Sequence, residues 1–388
     1  MTPSDPDPIY LDHNATTPVA ASVLDAMLPF LRGEYGNPSS GYALGRRAKE
    51  AVETARAQVA ALIGADAGNI VFTSGGTEAS NLAIRGTVRR LGGRQKIVTS
   101  TVEHPATDEP CNRLACDGHA LHRVPVGPDG CIDVAQATTA IGAGAGLVTL
   151  IHAQNEIGTL QPVAAIAQEA HRHGAVMHAD AAQSVGKIAI DVKALDVDLL
   201  SIAGHKLYAP KGIGALYVRD GIALEPVLLG AGQENGRRPG TENVASIVAL
   251  GEACRLAASR LPQAQTTIRP LTDELFARLQ KEVPGLTRVG HPGERLPNTL
   301  NVLFPGVSGR EVLNACPAVF ASTGSACHAD REEASPVLRA LGIPEREALG
   351  AVRLSLGFDT TAAQIANAAA ALADAWRRVA HAPAARAV

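Results

Sequence analysis

Between residues 45 and 258 the chain alternates stretches of three- and four-residue apolar spacing with short, near-continuous apolar runs. Over 44–64, Leu44, Ala48, Val52, Ala55, Val59 and Leu62 share one face and Gly64 closes the pattern, which predicts an amphipathic helix. Apolar runs follow at 69–72, 96–99, 146–152, 175–178, 197–202 and 213–218, most of them β-branched and bounded by Gly, Asp or His. Such runs predict strands buried on both faces, as in a mostly parallel sheet with crossover helices. The pattern turns helical and Ala-rich over 250–269 and stays so through 271–283. Strand candidates at 298–304, 318–322 and 351–355 then precede a last helix with Ile365, Ala369, Leu372, Trp376 and Val379 on one face. The expectation is an α/β fold: a large domain over 15–258, and a smaller α+β domain formed by 1–14 and 259–388. The Gly/Ala stretch at 142–146 reads as a flexible loop, because no helix follows it.

Composition narrows the function classes. The 388 residues carry a net charge of −3 and are only 3% aromatic, so neither a basic field for nucleic acid nor an aromatic stacking platform is present. No apolar run reaches the roughly 18 residues of a membrane span. The acidic, Pro-rich start lacks the features of a secretory signal, so a reducing cytoplasm is the expected location. The six cysteines, at 111, 116, 131, 254, 316 and 327, show neither a disulfide framework nor metal-site spacing. His171, His173 and His178 fall at a helix end and in a strand, so no metal site is expected there.

Three segments carry chemistry. A buried strand runs into Ser74-Gly75-Gly76-Thr77-Glu78, which opens a helix: a capped tight turn, or a cradle for an anion at a helix N-terminus. A second strand ends at His178-Ala179-Asp180 with Gln183 beyond it, so Asp180 either caps the next element or faces a ligand at the sheet edge. Lys206 sits between two buried strands, either snorkelling or desolvated enough to form a Schiff base. Together, an anion cradle, a sheet-edge carboxylate and a buried amine match the phosphate, ring nitrogen and aldehyde of pyridoxal 5′-phosphate. His104, after the run at 97–98, is placed to lie over the ring.

The motifs YLDHNATTP (10–18), YGNPSS (35–40), FTSGGTEASN (72–81), VEHPA (102–106) and HAQNEIGTLQP (152–162) form one set with HADAAQ (178–183) and GHKLYAPKGIGALY (204–217). RPGTEN (238–243), RLPNTLN (295–301) and STGSACH (322–328) complete it. As a set they resemble the class V, fold-type I, pyridoxal-phosphate-dependent cysteine desulfurases and selenocysteine lyases over nearly the whole chain.

The resemblance implies that Lys206 would carry the cofactor, Asp180 would pair with the ring nitrogen, and His104 would stack on the ring and exchange protons. Gln183 would bond the ring oxygen, Asn155 would lie near ring and substrate, and Gly76, Thr77 and His205 would hold the phosphate. Thr241 would reach the cofactor of a second subunit, implying a homodimer, and Arg353 would clamp the substrate carboxylate. Cys327 would accept sulfur or selenium from L-cysteine or L-selenocysteine, leaving L-alanine, and would pass it to an acceptor protein. Ala203, Tyr42 and Asn235 depart from the usual desulfurase pattern, and Tyr42, Ala203 and Cys327-His328-Ala329-Asp330 lean towards the selenocysteine lyases. The rival readings are an aminotransferase on the same scaffold and a non-catalytic sulfur carrier.

Overall fold

The structure is a computed structural model; it describes residues 8–142, 144–323 and 333–381. Its strands are β1 (Ile9–Tyr10), β2 (Ile70–Thr73), β3 (Lys96–Ser100), β4 (Ala120–Val124), β5 (Ala145–Ile151) and β6 (Val176–Asp180), followed by β7 (Leu199–Ala203), β8 (Gly214–Val218), β9 (Thr287–Val289), β10 (Thr299–Leu303), β11 (Val319–Phe320) and β12 (Ala351–Ser355). Seven of them form one sheet in the order β2-β8-β7-β6-β5-β3-β4. β8 runs antiparallel to both its neighbours and every other pairing is parallel. The chain is therefore α/β with a mostly parallel sheet. The apolar runs became strands because β2, β7 and β8 bury every residue, on a sheet covered on both sides by helices such as Ala43–Leu62, Gly76–Leu91 and Val244–Gln263.

The helix Val244–Gln263 passes through a π-helical turn, Ala264–Ile268, into Arg269–Glu282. Ala257 belongs to the core around the large sheet, whereas Ile268 packs in a second core with Leu275, Leu300, Val352 and Leu372. Leu11 joins that second core, so the N-terminal strand packs with the C-terminal part of the chain. There β12-β10-β9 make a small antiparallel sheet, and β1 pairs in parallel with β11.

The 142–146 stretch is not the loop its composition suggests. Gly142 ends the helix Val134–Gly142, Gly144 turns the chain at φ +88°, and Ala145 and Gly146 already lie in β5. Gly146 belongs to β5, which pairs in parallel with β3, and the Gln95 side chain lies over the position a Cβ would take. The helix Ala21–Arg32, which the sequence reading did not include, packs Val23 and Met27 on the large core and contains Pro29.

Candidate active site

β3, β5, β6 and β7 pair in parallel, and β2 runs with them because it and β7 are both antiparallel to β8, so their carboxyl ends share one edge of the sheet. That edge is where open α/β sheets hold ligands. β2 leads to Gly76 and Thr77, β3 to His104, β5 to Asn155, β6 to Asp180 and Gln183, and β7 to His205 and Lys206. Five separate motifs thus converge through topology alone.

Lys206 ends a short 3-10 turn, Gly204–Lys206, and its Nζ donates to the backbone carbonyls of Asn14 at 2.6 Å and Ala15 at 2.7 Å. Its stem borders a small cavity with Leu207, Tyr208, Ile268 and Phe358. Burial first, and then the nearby Arg353 charge, lower the amine pKa to about 8, against the pull of Asp12 and Asp180. Asp180 is 4% exposed and accepts the Ala182 N–H at 3.0 Å. Burial pushes its carboxyl up, opposed by the Ala182 N–H and by His104 and Lys206. A buried carboxylate at this sheet edge is suited to a cationic ring N–H.

His104 caps the helix Pro105–Cys116, with Nδ1 accepting the Ala106 N–H at 3.1 Å. A neutral ring therefore carries its proton on Nε2. His104 is an exposed residue, yet the surrounding protein, and then the Lys206 charge, lower its pKa. At the cradle, Gly75 adopts φ +154° and the sixteen-residue helix Gly76–Leu91 starts, with Glu78 in its first turn held by Arg238 at 2.8 Å. A Cβ on Gly76 would lie 3.1 Å from Ala203 Cβ, so the departure at 203 faces the glycine of the cradle itself. His205 Nδ1 stands 3.2 Å from Thr16 Oγ1.

Arg353 lies in β12, 5% exposed, yet belongs to this edge: Nη2 contacts Asp12 Oδ1 at 2.7 Å and Nη1 donates to Asn155 O at 3.2 Å. Its Nε is buried without a partner among the described residues. Cys327 lies outside the described residues. The chain on either side of its segment is tied to the site: Ser322 pairs with Arg353, and Ser335 bonds Glu156, next to Asn155. Thr241 is exposed, in the stretch before Val244–Gln263. His171 bonds Asp196 and Asp198, while His178 bonds Thr149 and Ser201, so these histidines serve separate networks.

Sequence reasoning missed Asp12 and Asn14, although both lie in YLDHNATTP. Asn14 is fully buried: its N–H donates to Ser355 Oγ at 2.9 Å, its Nδ2 to Thr299 Oγ1 at 2.8 Å and to Asn155 O at 3.2 Å. It thereby stitches the small sheet to this edge of the large one.

A family model described as aminotransferase class-V matches residues 9–367. A cysteine desulfurase from Nostoc sp. is 43% identical over 359 residues, 92% of this chain and 90% of the relative. The cysteine desulfurase IscS of Dictyoglomus turgidum is 41% identical over 356 residues, 91% of this chain and 90% of the relative. Among solved structures, a NifS-like protein superposes with a TM-score of 0.89 at 32% identity, covering 95% of this chain and 98% of that one. SspA in complex with cysteine gives 0.77 at 36% identity, covering 90% and 98%. The chain belongs to the class-V aminotransferase family, and its relatives there include cysteine desulfurases.

Proposed function

We propose that the protein takes sulfur from L-cysteine, with pyridoxal 5′-phosphate as cofactor, and leaves L-alanine. The observation that carries this is the convergence of Lys206, Asp180 and the Gly76 cradle on one sheet edge, with Arg353 brought there from the other core. The buried Asp180 and the lowered amine pKa of Lys206 suit the cofactor's ring nitrogen and aldehyde. Gly76, Thr77 and His205 would hold its phosphate, and Gln183 its ring oxygen. When bound, pyridoxal phosphate supplies an electron sink for the substrate's α-carbon.

The chain's own residues supply the rest. Arg353, held by Asp12 and by the Asn155 carbonyl, binds the substrate carboxylate, a task suited to a planar guanidinium. The Lys206 amine, free to exchange protons near its pKa of about 8, moves the Cα proton, and His104 donates from Nε2. The Cys327 thiolate attacks the substrate sulfur: an S–S bond forms, the C–S bond breaks, and its electron pair stays with the carbon, which is protonated to alanine. The persulfide on Cys327 then passes to an acceptor protein. An aminotransferase needs no such thiol.

The test is alanine release from L-cysteine, with borohydride trapping of a yellow cofactor onto Lys206. Cys327→Ala should release no alanine from L-cysteine; full activity in that variant would sink the thiol's role. L-selenocysteine is the second substrate to assay, because Ala203 and Tyr42 are shared with selenocysteine lyases in the sequence pattern. A more acidic selenol would let it react even in Cys327→Ala.

Ala203 supplies a separate prediction. It is 3% exposed and faces Gly76, so Ala203→Ser places a hydroxyl at the phosphate cradle. One added hydrogen bond to a charged group should tighten cofactor binding about tenfold. Fluorescence titration of the apoprotein measures it, and weaker binding would show that the hydroxyl is not directed at the phosphate.

The reading includes a homodimer in which Thr241 reaches the other protomer's cofactor. Tyr35 and Leu229 are 75% and 88% exposed, the kind of apolar surface a partner covers. Light scattering that gave a monomer mass at micromolar concentration would overturn this part.

A further inference from the structure

A second buried lysine lies beside the site, and no step above uses it. Lys187 is 7% exposed, and its Nζ donates to Asn14 Oδ1 at 2.8 Å and Gln183 Oε1 at 2.6 Å. Both acceptors are neutral amide oxygens, and no carboxylate pairs with Lys187 among the described residues. Burial, followed by the charges of Lys206 and Arg353, drives its pKa well down. A neutral amine still has two N–H donors, enough for both bonds.

The consequence falls on Gln183. Its amide has one accepting end and one donating end, and a donor at Lys187 fixes which end faces which way. With Oε1 held, Nε2 turns to the opposite side and donates to the Asn14 carbonyl at 2.9 Å. That carbonyl is the one that receives Lys206 Nζ at 2.6 Å. The Gln183 NH2 is thus set beside the Lys206 amine, and Gln183 is 4% exposed, so no bulk water competes for its oxygen.

We propose that Lys187 is a positioning residue: by holding the Gln183 amide oxygen it keeps the Gln183 NH2 turned to the Lys206 side, where it can donate to the cofactor's ring oxygen. The proposal rests on the reading of Gln183 as the ring-oxygen donor. A hydrogen bond to that oxygen disfavours protonation of the chromophore, so losing it raises the pH at which the holoenzyme's visible absorbance shifts. Gln183→Leu removes the donor and should raise this midpoint by about one unit. Lys187→Met should raise it by a similar amount, and the double variant no further, because both act through one amide. Lys187→Arg, which keeps the donors, should stay near the wild-type midpoint. If Lys187→Met does not fold, Lys187→Gln, whose amide stops one bond short, must give the same rise. A midpoint moved by Gln183→Leu but not by the Lys187 variants overturns the positioning role alone. A midpoint unmoved by Gln183→Leu overturns the ring-oxygen assignment, and the proposal with it.

Discussion

Replacing Lys206 by alanine is expected to lower alanine production from L-cysteine by about ten-thousand-fold, and borohydride is expected to fix no cofactor to the variant. The size of the loss follows from how specifically the amine is prepared. Its Nζ is held by the Asn14 and Ala15 carbonyls at 2.6 and 2.7 Å, so it enters the reaction already aimed. Lys187 is no substitute, because its Nζ is already held by the amide oxygens of Asn14 and Gln183. The lowered pKa of Lys206 adds a dependence that an ordinary lysine lacks. With a folded-state value of about 8, below the usual 10.5, the neutral amine is a minor species at pH 7 and dominates above pH 9. The rate at which apoprotein combines with the cofactor aldehyde should therefore rise about fivefold from pH 7 to pH 8 and level off above pH 9. The same shift bears on stability. The folded state binds this proton less tightly than the unfolded chain, so stability contributed by Lys206 is full above pH 10.5 and is lost as pH falls towards 8. Stopped-flow absorbance settles the kinetic point: a rate still climbing through pH 10 would mean that burial and Arg353 do not act on the amine as described.

The sheet was legible because strands covered on both faces leave near-continuous apolar runs, and those at 69–72, 96–99 and 213–218 fall within a residue of the observed strands. The mostly parallel order was legible in the same runs, but the reversal of β8 was not. The residues of β8 look like those of β7, and what makes β8 antiparallel is the path of the chain around it. The site motifs were legible one by one because each follows a strand end, and the parallel order then brings the ends together. Asp12 escaped because its meaning lies in Arg353, 341 residues away, and no local pattern records that pairing. Lys187 escaped for a related reason. Four residues after Gln183 it resembles a surface lysine, and only the folded loop shows that both its partners are buried amides. The helix Ala21–Arg32 was missed because Leu24 and Leu31 on its exposed side and Pro29 within it blur the stripe of Val23 and Met27 that packs on the core.

Asp180→Asn should separate stability from function in opposite directions. Activity is expected to fall about a thousandfold, because a buried pair between the carboxylate and a protonated ring nitrogen contributes about 4 kcal/mol, and an amide cannot hold the ring proton. The apoprotein should nevertheless become more heat-stable at pH 7. Burial raises the Asp180 pKa in the folded chain, so the ionised form is penalised there relative to the unfolded chain. Stability from this group is therefore full at pH values below the ordinary aspartate range, and is lost as pH rises towards the folded value. At pH 7 the unloaded site bears that penalty, offset only in part by the Ala182 N–H, His104 and Lys206. The asparagine variant removes the charge while keeping the acceptor that takes the Ala182 N–H at 3.0 Å. Cofactor binding should accordingly raise the melting temperature of the wild type more than that of the variant, since only the wild type gains a neutralising partner for a buried anion. Calorimetry of both proteins, with and without pyridoxal phosphate, reads all four states. An apo variant less stable than the apo wild type at pH 7 would show that Asp180 is already neutralised by its neighbours, and the carboxylate would then lose its standing as the group that awaits a cationic ring.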